Sequence, residues 1–160
     1  MAIYRLKNCD GPCPPSGFEH SPCDMHFIVE IHWPEKDLDT GVVYTANDKT
    51  SGFSCANGAN PFFQSNDVTQ GIDLKEIHHV SVKNTDLGGD EDPKIIVSIH
   101  WFDEKPDPNP DVTIYVKEGA RTESFTTTAE LEADGCSCNV GEQKVIVTIP
   151  QNRNWTFETL

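Results

Sequence analysis

Ile28-Val29-Glu30-Ile31-His32-Trp33 is echoed later in the chain by Ile96-Val97-Ser98-Ile99-His100-Trp101. In each copy apolar residues alternate with others at a period of two, the period of a half-buried β-strand. Val29, Ile31 and Trp33 share one face and Ile28, Glu30 and His32 the other. The second copy repeats this with Val97, Ile99 and Trp101 against Ile96, Ser98 and His100. The sets ending in tryptophan are the expected core faces.

Working outward, the likeness continues. Val43-Tyr44 matches Ile114-Tyr115 in the strand that follows each copy. His78-x-Val80-x-Val82 then matches Val145-x-Val147-x-Ile149. Three segments in the same order predict two related β units. Strand signals recur along the whole chain, punctuated by Asp10-Gly11, Asn57-Gly58, Gly88-Gly89 and Asp134-Gly135. They predict strands near 2–6, 26–33, 41–46, 77–83, 94–102, 111–117, 122–130, 143–149 and 153–158. The best helix candidate is Thr127–Ala133, although its threonines suit a strand equally well. The expected fold is all-β: an antiparallel β-sandwich or jelly roll, built from two duplicated small β units, with an irregular Cys/Pro-rich N-terminal arm. The expected divisions are 1–25 for the first strand and arm, 26–85 and 94–160 for the β units, and 86–93 for an acidic linker. One compact domain is the alternative arrangement.

Composition bounds the function. Twelve Lys+Arg stand against 26 Asp+Glu, for a net charge of −14. Such a surface repels phosphate backbones and anionic lipid heads, which argues against a nucleic-acid partner. No apolar run approaches the length needed to span a bilayer, so membrane insertion is not expected. The stretch Met1–Lys7 lacks the basic start and long apolar run of a signal peptide.

Six cysteines, Cys9, Cys13, Cys23, Cys55, Cys136 and Cys138, lie mostly in Gly-, Pro- and Asn-rich surroundings. An even number in loops points to disulfides and an oxidising destination, extracellular or virion. Paired C-x2-C knuckles are missing, which disfavours zinc. The pairing stays open.

Acidic clusters offer the only other metal chemistry. Asp86, Asp90 and Asp92 fall in the linker; Asp103, Asp107 and Asp111 fall between two strands of the second unit. They are weak calcium candidates, since calcium takes six to eight oxygens and no EF-hand spacing is present. No metal or other cofactor is required by the pattern. His32 and His100 occupy equivalent repeat positions and would meet if their strands lay together. No nucleophile elbow, triad context or phosphate-cradling glycine loop appears, so no catalytic residue and no enzyme activity is expected. Asn154-Trp155-Thr156 is an N-glycosylation sequon.

These features favour a structural, interaction-based protein. The expectation is a disulfide-stabilised subunit or decoration component of an extracellular assembly such as a virion or appendage. Its partners would be other protein subunits, in a homo-oligomer or larger assembly. The alternative is a carbohydrate- or calcium-binding β-sandwich module, with Trp33, Trp101, Trp155, Phe62 and Phe63 as its glycan platform.

Overall fold

The computed structural model describes residues 24–47, 49–52, 62–64, 70–133 and 141–160, with the backbone alone at 47, 49–52 and 62–64. Eleven strands are described: β1 (Met25–Trp33), β2 (Leu38–Tyr44), β3 (Lys49–Gly52), β4 (Phe62–Gln64), β5 (Leu74–Val82), β6 (Lys94–Phe102), β7 (Val112–Glu118), β8 (Arg121–Thr127), β9 (Glu132–Ala133), β10 (Glu142–Thr148) and β11 (Thr156–Thr159). No α-helix occurs among the described residues. The Thr127–Ala133 segment is not helical: it ends β8, passes through four residues outside any element and enters β9.

Two sheets pack face to face as a β-sandwich. The first has the order β4-β5-β1-β7-β8; the second runs β11-β10-β6-β2-β3, with β9 added in parallel to the end of β6. All other pairings are antiparallel. The two echoed segments are therefore the central strands of opposite sheets. Central position explains their composition, because a strand with neighbours on both sides and a sheet against one face must carry an unbroken apolar stripe. In β1 that stripe is Met25, Phe27, Val29, Ile31 and Trp33; in β6 it is Ile95, Val97, Ile99 and Trp101, all buried.

The connections have the same form in both halves. β1 ends at Trp33, and the chain crosses to the second sheet as β2, beside β6. β6 runs to Phe102, and the chain crosses to the first sheet as β7, beside β1. β2–β3 and β7–β8 are hairpins; β5 and β10 return to pair with their own central strands. The β7–β8 hairpin turns in two residues, Gly119 and Ala120. Gly119 at φ 59 supplies the left-handed conformation that a tight hairpin needs at its first position.

Register tests the expected correspondences. Val29 lies opposite His78 and Val116, whereas its echo Val97 lies opposite Val145 and Val42. His78 and Val145 thus occupy corresponding places, as the sequence pattern suggests. The match of Val43 with Ile114 does not hold: Val42 corresponds in place to Val116. Ile114 is buried, whereas Val43 is only half-buried on the opposite face of its strand. An odd slip in register exchanges the faces of a strand, which is why composition alone misaligned this pair.

The two ends of the sandwich are closed differently. At the end where β1 begins, Trp155 from the β10–β11 turn packs edge-on to Phe27, with ring centroids 5.4 Å apart. The Arg121 guanidinium lies 3.7 Å from the Trp155 ring centroid, and the indole Nε1 donates to Glu118 Oε1 at 3.1 Å. Arg121 Nη1 also donates to the Trp155 carbonyl. At the other end, Trp33 and Trp101 cap the core. Trp33 Nε1 donates to the Lys36 carbonyl at 2.8 Å and Trp101 Nε1 to the Ala129 carbonyl at 2.9 Å. Each indole thus buries its ring and still satisfies its one donor.

Candidate functional site

The end capped by Trp33 and Trp101 carries a cleft of about 700 Å³. Its walls are the two corresponding crossovers. Glu35, Lys36 and Asp37 come from the β1–β2 connection, and residues 102–107 come from the β6–β7 connection. Gln70 and Gly71, leading into β5, complete the rim. Each crossover turns through one non-glycine residue at positive φ, Lys36 at 72° and Asp103 at 62°. Lys105 pairs with Glu130 at 3.1 Å, which lowers the Glu130 carboxyl below its ordinary range and raises the Lys105 amine, chiefly through the hydrogen bond.

Beneath this end, a polar cluster lies among the inward apolar residues of β2 and β5. Thr40 from β2 and Glu76 and His78 from β5 face each other across the gap between the sheets. They are 1%, 1% and 0% exposed. The Thr40 hydroxyl hydrogen-bonds the Glu76 carboxyl and lies 2.8 Å from His78 Nε2. Burial, with a smaller push from the neighbouring His79, lowers His78 from 6.5 to about 3, so its imidazole is neutral at physiological pH. The cluster is placed by alternation. Leu74, Glu76, His78, Val80 and Val82 form the inward stripe of β5, and Thr40 lies between Leu38 and Val42 on the inward stripe of β2.

The outer face of the first sheet carries a third group. His26 Nε2 and His79 Nδ1 are 2.9 Å apart with their rings tilted. Farther along, His32 packs edge-on to Tyr115 with centroids 5.0 Å apart, and Glu30 pairs with Lys117. Burial lowers both His79 and His32; Glu30 opposes the shift at each, and for His32 Lys75 and Lys117 reinforce it.

The sequence-derived candidates fall as follows. The calcium candidates separate to the two ends. Asp86, Asp90 and Asp92 lie in the β5–β6 connection, where Asp86 accepts the Tyr44 hydroxyl at 2.7 Å. Burial, then that hydrogen bond, raises the Tyr44 phenol. Asp103 and Asp107 line the opposite cleft, and Asp111 is exposed just before β7. Among the described residues no group of three or more His, Cys, Asp or Glu is arranged to hold a metal ion.

The glycan platform is corrected at its three tryptophans. Trp33, Trp101 and Trp155 are 3%, 0% and 2% exposed and offer no flat ring to a sugar. The backbone of Phe62 and Phe63 lies in β4, opposite Val80 and His79, and their side chains lie outside the described residues. Cys9, Cys13, Cys23, Cys55, Cys136 and Cys138 all lie outside the described residues, as do the strand expected near 2–6 and the rest of the 1–25 arm apart from its last two positions. His32 and His100 do not meet, because their strands are in opposite sheets. His100 instead lies 3.1 Å from Asp39, across the β2–β6 pair. Asn154 of the sequon is exposed.

Pattern reading missed the Thr40–Glu76–His78 cluster, since its members are far apart in sequence. The signal was nonetheless present: two ionisable residues occupy consecutive inward positions of a strand whose stripe is otherwise apolar. Among the described residues no helix is long and apolar enough to cross a membrane. The class defined by these features is an antiparallel β-sandwich with crossed-over halves. No protein-family model, curated protein or solved structure matches the chain.

Proposed function

We propose that this protein is a structural subunit of an extracellular assembly such as a virion or appendage, and that it works by binding other subunits, including copies of itself, rather than by catalysis. The observation that supports this reading is β8. It ends the first sheet and, among the described residues, pairs only with β7. It runs regularly from Arg121 to Thr127 without proline, and its outward Thr122, Ser124 and Thr126 are exposed. Such an edge presents a row of backbone donors and acceptors to an incoming strand.

Charge favours a second copy at this edge. Against a net charge of −14, the outward residues of β8, Thr122, Ser124 and Thr126, are uncharged, and on the neighbouring strands Lys117 of β7 pairs with Glu30 of β1. Hydroxyls of two copies can meet there as Thr113 and Thr126 already do, at 3.1 Å. Disulfides from Cys9, Cys13 or Cys23 then lock the contact against dissociation, because breaking them needs a reductant.

Light scattering of the wild type and of a Thr122→Glu/Ser124→Glu/Thr126→Glu variant tests this. The wild type is expected to exceed monomer mass, and the variant to fall back to it. A wild type that stays monomeric in oxidising buffer, or a variant that assembles unchanged, rejects the reading.

A carbohydrate- or calcium-binding module is the second reading. It is favoured by the end cleft, whose volume lies in the range of small-molecule sites. A glycan array and a calcium titration, each with and without chelator, test it. We also infer that the halves containing β1–β5 and β6–β10 are copies of one β unit, supported by the sequence echo and by the matching order of connections.

A further inference from the structure

We propose that Thr40 and Glu76 become joined by an intramolecular ester, formed once per molecule with His78 as the base, which ties the two sheets together covalently. The inference concerns the interior alone and does not depend on how the protein assembles.

Geometry carries it. A covalent step of this kind needs a nucleophile, a base within hydrogen-bond reach of it, and an electrophile that the nucleophile touches. Thr40 Oγ1 reaches both of the others: it is hydrogen-bonded to Glu76 Oε2 and lies 2.8 Å from His78 Nε2. Thr40 belongs to the second sheet and Glu76 to the first, so the hydroxyl and the carboxyl are held against each other by the packing of the sandwich. Such fixed placement makes a bimolecular condensation effectively unimolecular.

Burial supplies the direction. In water a carboxyl and a hydroxyl do not condense to any useful extent, since water is abundant and the carboxylate is well solvated. At this site the three side chains are at most 1% exposed, so little water is present to reverse the reaction. The alternative of keeping a carboxyl in an apolar interior is itself costly. The ester removes both the ionisable group and one hydrogen-bond donor. His78 Nε2 is the base within reach, 2.8 Å from the Thr40 hydroxyl, and burial keeps its imidazole unprotonated, leaving a ring lone pair for the hydroxyl proton.

The step balances without a cofactor. Glu76 reacts as the protonated acid. As Thr40 Oγ1 attacks Glu76 Cδ, His78 Nε2 takes the hydroxyl proton. The Oγ1–Cδ bond forms, giving a tetrahedral intermediate. The imidazolium then returns the proton to one of the acid's oxygens, the Cδ–O bond to it breaks, and one water leaves. Nothing is oxidised or reduced.

The test is the intact mass of the purified full chain, denatured and with its thiols reduced. The expected mass is lower than the sequence mass by one water. Proteolysis should give a branched peptide joining the Thr40 and Glu76 segments, and hydroxylamine should cleave that link. The Thr40→Val and His78→Gln variants should show no such link. A wild-type mass equal to the sequence mass overturns the proposal, and this readout does not require any variant to fold. A water deficit mapped to other residues overturns it as well. So does a deficit of one ammonia, which would assign the electrophile to a side-chain amide instead of Glu76.

Discussion

Acid should weaken this protein through His78, by an amount the structure allows to be worked out. Its folded pKa is lowered from 6.5 to about 3 by burial. As pH falls, the unfolded chain takes up a proton first, while the folded chain still excludes it. Stability therefore declines once pH drops through 6.5, and the decline from this group ends near 3. Between about pH 7.5 and about pH 5 the loss from His78 alone is about 2 kcal/mol; the full shift corresponds to roughly 5 kcal/mol. His32 and His79 are lowered in the same direction and steepen the slope. Removing the imidazole removes its share of this loss. Urea denaturation of the wild type and of His78→Gln, at both pH values, gives four unfolding free energies. The variant should lose about 2 kcal/mol less than the wild type on acidification. Equal losses would refute the argument. So would a His78 ring resonance in the wild type that titrates near 6.5, a measurement that does not depend on the variant folding.

Other outcomes follow from packing. Trp155→Ala should cost about 3–5 kcal/mol in a denaturation experiment, because it removes the partner of Phe27 and the seat of the Arg121 guanidinium. Arg121→Ala, which keeps the indole, should cost nearer ~1 kcal/mol. Gly71→Ala should destabilise by about 1–3 kcal/mol, since Gly71 has φ 131 and a Cβ there would lie 2.9 Å from Leu74 Cδ2; thermal melting checks this. Fragments 26–85 and 94–160, produced separately, should show no cooperative unfolding by circular dichroism.

The fold was largely legible because its central strands must alternate without a break. Strand 94–102 matches β6 residue for residue, and seven other expected strands overlap β1, β2, β5, β7, β8, β10 and β11. β9 escaped because it is two residues long and is held only by parallel pairing to Trp101 and Phe102, a contact no local pattern encodes. β3 and β4 are similarly short edge elements. The site was far less legible. Charge clusters drew attention to Asp103 and Asp107, which do line the cleft, but also to Asp90 and Asp92, exposed at the opposite end. The aromatic residues proposed as a platform included three indoles that the core claims for itself. Thr40, Glu76 and His78 are brought together only by the stacking of one sheet on the other, and sequence separation hides that.

The crossing of the two halves bears on how they depend on each other. β1 has β5 from its own half on one side and β7 from the other half on the second side; β6 has β10 and, reciprocally, β2. Removing either half therefore strips each central strand of one ladder of backbone hydrogen bonds and exposes the facing apolar stripe. Both losses are large beside the few kcal/mol by which domains are usually stable. Exchange of hairpins between like units is the geometry by which two separate chains would form an intertwined dimer. Within one chain, the β5–β6 connection holds the two halves at a fixed high effective concentration, so these pairings need no partner molecule. Among the described residues β8 pairs only with β7, so the sheet edge it forms is separate from these crossed pairings, while the hydrogen-bonded Thr40–Glu76–His78 cluster ties one sheet to the other.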